Sequence, residues 1–113
     1  MEDLGFTEHD WKLFKSKIAD WQEAYMERLI GEYIELLSRE DDASEKFWQL
    51  ERRISKDKHA AGVSVIMSRS EMVTNIVRLI DEGAITLDDL DDFSDVLKEE
   101  VAWYLKVISR RRS

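Results

Sequence analysis

The chain has 113 residues, with 25 Asp and Glu against 17 Lys and Arg, for a formal net charge of −8. That length supports one hydrophobic core and not two, so a single helical domain over 1–113 is expected. The absence of Cys excludes disulfides, thiolate metal sites and cysteine nucleophiles, and the absence of Pro, with four Gly, leaves few breakers in a chain that is 43% apolar.

Thr7 followed by Asp10 is a helix start, with Phe6 and Trp11 placed as a hydrophobic staple. Trp11, Phe14 and Ile18 recur on one stripe. Asp20 with Glu23 offers a second start, so a bend is expected near Ala19, followed by a long helix with a wide apolar face of Tyr25, Met26, Leu29, Ile30, Tyr33, Ile34 and Leu37. Gly31 within that helix predicts close packing against a neighbour. Asp42 with Glu45 begins the next helix, striped by Phe47, Leu50 and Ile54. The most apolar helix is expected around 63–82 and central, beginning near Val63. Gly83 suits a C-terminal cap, a short helix follows over Leu87, Leu90 and Phe93, and Ser94 caps a last helix striped by Leu97, Val101, Tyr104, Leu105 and Ile108. Trp11 and Trp103 are expected in the core, and Phe47 and Trp48 on a broad buried face, although an exposed Trp48 would suit an interface anchor. The fold class is all-α, a single compact bundle of four to six helices.

Candidate chemistry is sparse. His9 and His59 stand fifty residues apart. Neighbours in Glu8-His9-Asp10 diverge around a helix and do not converge on one metal. Asp88-Asp89-Leu90-Asp91-Asp92 lacks the alternating ligands and central Gly of a calcium loop. Ser55-Lys56-Asp57-Lys58 matches S-x-x-K without its companion motifs, and no phosphate-binding Gly loop occurs. No cofactor, no metal and no enzymatic activity are expected. The first residues, Met1-Glu2-Asp3-Leu4, lack the cationic and apolar regions of a signal peptide. The longest stretch without Asp, Glu, Lys or Arg is 59–68, short of the ~20 apolar residues of a membrane span. A soluble, cytoplasmic protein that binds no membrane is the expectation.

Charge carries more information than any motif. The window 81–100 holds nine acids and one base, Lys98, so it accounts for the whole net charge, and the remainder is balanced. A concentrated negative face steers basic partners. The leading expectation is therefore a non-enzymatic protein-interaction module, accessory or regulatory, docking a basic protein through Asp88, Asp89, Asp91, Asp92 and Asp95, with Trp48 as a further contact. An alternative is a nucleic-acid-mimicking inhibitor from a phage or mobile element, of anti-CRISPR or anti-restriction type. A third is a nucleic-acid-binding regulator contacting phosphate through Arg52, Arg53, Lys56 and Lys58 of the 46–58 basic patch, with the Arg110-Arg111-Arg112 tail. Nucleic acid is not the favoured partner, and a homodimer is compatible with the pattern.

Three segments carry a resemblance. They are Phe6-Thr7-Glu8-His9-Asp10-Trp11 with Trp21-Gln22-Glu23-Ala24-Tyr25-Met26; Lys46-Phe47-Trp48; and Met67-Ser68-Arg69-Ser70 with Ile85-Thr86-Leu87-Asp88-Asp89-Leu90 and Phe93-Ser94. Together they resemble short all-helical proteins of gut Firmicutes and their mobile elements, often labelled "multidrug transporter". That label conflicts with a chain lacking any membrane-spanning stretch. The resemblance implies an accessory role in a mobile element and no known chemistry, so it assigns no functional residue.

Overall fold

A computed structural model describes residues 5–112, in which four α-helices follow one another: α1 (Glu8–Leu37), α2 (Ala43–Asp57), α3 (Met72–Asp81) and α4 (Asp95–Arg112). Single 3-10 segments cover Arg69–Glu71 and Leu87–Leu90, and no strand occurs among the described residues. Residues 1–4, on which the signal-peptide expectation rests, and residue 113 lie outside them.

Helix α1 starts where the sequence places its cap. The Asp10 amide donates to Thr7 Oγ1 at 3.1 Å and the Thr7 amide donates to Asp10 Oδ2 at 2.8 Å, a complete capping box. Trp11, Phe14 and Ile18 are buried as their spacing predicts. The bend expected near Ala19 does not form, and α1 runs unbroken for 30 residues. Asp20 and Glu23 carry a cap's composition, yet no Gly or Pro interrupts the preceding turns, so no backbone donors are left there for Asp20 to satisfy.

Only the first part of α1 belongs to the core. Buried Trp11, Phe14 and Ile18 cluster with Met72, Ile76, Val77 and Leu79 of α3, Leu97 and Val101 of α4, and Ile85, Leu90 and Phe93 between those helices. Beyond Tyr25, α1 leaves this head and pairs with α2 in an antiparallel hairpin joined by 38–42. Within the hairpin only Leu29 and Leu36 are buried, and α2 buries no residue at all. The molecule accordingly measures 60 × 34 × 22 Å, with a radius of gyration of 16.8 Å. A compact chain of this length would have about 13 Å, so the single compact bundle expected from the sequence is an extended molecule instead.

The segment between the hairpin and α3 also departs from expectation. No helix begins near Val63; residues 64–68 are irregular, and α3 starts at Met72 behind the 3-10 segment. The β-branched run Val63, Val65 and Ile66 favours extended backbone. Long-range side-chain bonds hold it: Asn75 Nδ2 donates to the Ile66 carbonyl at 2.9 Å, and Gln22 Nε2 donates to the Ala61 carbonyl at 3.0 Å. Ser68-Arg69-Ser70-Glu71 has the spacing of a capping box, but the Ser68 side chain makes no cap.

Two glycines have distinct reasons. At Gly83, φ is +79°, and the amides of Gly83 and Ala84 donate to the carbonyls of Ile80 and Leu79 at 3.0 and 2.8 Å. This is the left-handed cap expected after α3. Gly31, in contrast, has nothing within 4 Å of where its Cβ would stand, so it serves no close packing. The tight position is Gly62, where a Cβ would overlap the ring of Tyr25. Gly62→Ala is expected to cost about 2 kcal/mol by overpacking, read as a lower urea midpoint with an unchanged slope. Gly31→Ala should instead raise the midpoint slightly through helix propensity.

Candidate interaction surfaces

The acid-rich window 81–100 folds as a corner between α3 and α4. Leu90 and Phe93 are buried and fasten the corner to the head. Its first turn is closed by a second capping box, in which the Thr86 amide donates to Asp89 Oδ2 at 2.7 Å. Asp88, Asp89, Asp91, Asp92 and Asp95 are all exposed, as expected of a docking face. Their commitments differ, however. Asp89 is consumed by the cap, while Asp92 and Asp95 approach Lys17 and Lys98 at only 3.9 and 4.0 Å, with side chains 73% and 95% exposed.

Asp81 and Glu82, at the end of α3, do not join that edge. Asp81 accepts two hydrogen bonds from Arg112, each 2.7 Å, and the Arg112 guanidinium holds its carboxyl below the ordinary carboxylate value. Glu82 accepts the Ala61 amide proton at 2.8 Å. The expected face of nine acids is therefore divided, and the Arg tail, assigned above to phosphate, uses Arg112 on the protein's own acid.

Asp10 positions the corner from below. Its side chain is fully buried and accepts from the Ser94 amide at 2.8 Å, the Ser94 hydroxyl at 2.5 Å and the Thr7 amide at 2.8 Å. Ser94 Oγ in turn accepts from the Leu97 amide at 3.2 Å, capping α4 as its sequence predicts. One carboxylate thus ties the starts of two helices together. Burial pushes its pKa up, but the bonds from Ser94 and Thr7 prevail and hold it below the ordinary value. Sequence spacing identifies Asp10 as a local cap partner only; its bond to a residue 84 positions away has no local signature.

The hairpin carries two grooves of opposite character. On one side Arg52, Arg53 and Lys56 line a groove of ≈ 350 Å³ with Arg39, Leu36 and Gln49. Arg53 is spent there, 2.8 Å from Glu32 and 3.5 Å from Asp57. Tyr33 Oη donates to the same Asp57 at 2.6 Å, and burial together with that carboxylate raises the phenol to about 12. Lys58 does not share this groove. It borders an apolar one of ≈ 260 Å³ formed with Met26, Ile30, Tyr33, Ile54 and Val63. The predicted four-residue basic patch is split between the two sides.

Apolar exposure is where the structure most differs from the sequence reading. Phe47 and Trp48 are both exposed, edge to face at 5.1 Å, and no broad buried face covers either. Ile30, Ile34 and Leu37 are also exposed. Trp103, expected in the core, is 59% exposed. It lies two residues after buried Val101, which turns it about 200° away from that stripe. Trp48 is on α2, whereas the aspartates lie on the corner before α4 and on its first residue, so they occupy different elements. His9 and His59 are exposed, and no cluster of metal-binding side chains occurs among the described residues. No helix of the described residues is long and apolar enough to cross a membrane. No family model, curated protein or solved structure matches the chain.

Proposed function

We propose that the protein is a non-enzymatic interaction module that docks a positively charged protein on the acidic edge Asp88, Asp91, Asp92 and Asp95. The observation that supports this reading is a set of exposed carboxylates on a short corner pinned at three points: the Thr86–Asp89 cap and the buried Leu90 and Phe93. Asp88 and Asp91 enter no ion pair among the described residues. Fixed charges with no strong internal partner attract a basic surface and lose little side-chain freedom on meeting it.

Affinity capture from the source cell tests the proposal, using the wild type and a variant with Asp88, Asp91, Asp92 and Asp95 changed to Asn. Asp89 is kept because its carboxylate closes a turn. Four rim charges, each worth about 0.5 kcal/mol, predict roughly 30-fold weaker binding of the captured basic protein. Undiminished capture by the variant removes the acidic edge as the docking site. A captured protein that duplex DNA displaces in competition identifies the edge as a nucleic-acid mimic, the inhibitor form of the same docking.

A further inference from the structure

The hairpin presents a second surface, independent of the acidic edge. Ile30, Ile34 and Leu37 follow at i, i+4 and i+7 along α1, and Phe47 and Ile54 are seven apart on α2. Ile30 and Ile54 share the apolar groove between the two helices. Helical spacing places Ile34 and Leu37 on the same side of α1 as Ile30, and Phe47 on the same side of α2 as Ile54. All five side chains are between 44% and 63% exposed. We propose that this strip is the contact between two copies of the chain, whose hairpins pack side by side into a four-helix bundle with α1 of each copy against α2 of the other.

Charge selects the second copy as occupant and sets its arrangement. The outer half of α1, residues 23–37, has four acids and one base, whereas on α2 Arg52, Arg53 and Lys56 line the opposite groove and Lys58 is the base that borders the strip. A twofold axis along the hairpin sets the acid-rich α1 of each copy against the Lys58 end of the other copy's α2, and the alternative of α1 on α1 opposes like charges. At the base of the hairpin the spacing puts Glu23 and Glu27 beside the strip on α1, where Lys58 borders it on α2. The same axis keeps heights matched, so Ile30 meets Ile54 of the second copy. The area suffices: half-exposed side chains of this size leave about 100 Å² each, or roughly 500 Å² per copy and 1,000 Å² for the pair, the lower bound for a specific interface. Within one chain α2 buries nothing; in the pair both its faces are used.

Sedimentation across a range of concentrations tests the proposal on the full chain. The wild type is expected to dimerise, and the double variant Ile30→Glu, Ile54→Glu to be monomeric with an unchanged helical spectrum, its dissociation constant raised at least about 100-fold by carboxylates set in an apolar contact. A wild type that stays monomeric into the high micromolar range overturns the proposal, as does a double variant that still dimerises. Because the chain has no Cys, single cysteines report geometry without background. Ile30→Cys mixed with Ile54→Cys should give mainly the disulfide between the two variants; mainly like-with-like disulfides overturn the arrangement.

Discussion

Asp10→Ala is expected to lower stability by about 3 kcal/mol, for a side chain of four atoms. Three donors converge on this fully buried carboxylate: the amides of Thr7 and Ser94 and the Ser94 hydroxyl. Hydrogen bonds to a charged acceptor contribute about 1.5–3 kcal/mol each, and a buried donor left without a partner costs about 1–3 kcal/mol. The hydroxyl can rotate to another acceptor, but neither amide can. Asp10→Asn should recover little, because its NH2 group faces one of those amides with a donor. Thermal unfolding reads the loss as a fall in Tm on the order of 15 °C.

The pH dependence follows from the same contacts. The folded carboxyl lies below its ordinary value of 3.8, so its stabilising effect is complete above that value and is lost as pH falls through the lower, folded one. The wild type should therefore lose stability faster than Asp10→Ala on acidification below pH 3.8, and the two curves should converge. Parallel curves down to the most acidic pH would mean the carboxylate is not the stabilising form.

Leu97→Ala should cost a similar amount, about 3 kcal/mol, whereas Trp48→Ala should stay within about 1 kcal/mol. Leu97 is fully buried in the cluster that joins α3 and α4, and truncation leaves a cavity in a close-packed core whose other members, Phe14, Ile76 and Leu90 among them, are fully buried too. Trp48 is the larger side chain but is 56% exposed. Composition alone ranks these substitutions the other way, since a tryptophan carries more apolar area than a leucine. Urea unfolding of the two variants against the wild type decides whether the core resides in the head.

What the sequence makes legible is local. Thr7 with Asp10, Gly83 after α3 and Ser94 before Leu97 act across a few residues, and each performs as its spacing predicts; the Thr86–Asp89 cap is equally local but is not among the expected helix starts. What it hides is how much surface exists to cover a stripe. Helix α3 has 10 residues and α4 has 18, and the core lies in the first part of α1, so the amphipathic faces of outer α1 and α2 find no third layer. Periodicity shows which side of a helix is apolar, not whether anything lies opposite. Of the candidate site, the exposure of Asp88, Asp91, Asp92 and Asp95 was legible, but the diversion of Asp81 to Arg112 was not, since that pair joins residues 31 apart. The basic patch separated for a related reason: Arg53 and Lys58 are five residues apart and face different sides of α2.

The unbroken course of α1 gives the molecule a fixed length scale. Thirty helical residues span about 45 Å, and the same rod begins at the Asp10 anchor beneath the acidic corner and ends at the hairpin tip. A bend at Ala19 would have made an elbow there. Without one, the head and the hairpin behave as the two ends of a ruler, so two partners held at those ends are kept at a set spacing and angle. A tilt of 10° at the anchor displaces the tip by about 8 Å, roughly one interhelical distance. Small adjustments in the packing of the head are thereby enlarged at the far end.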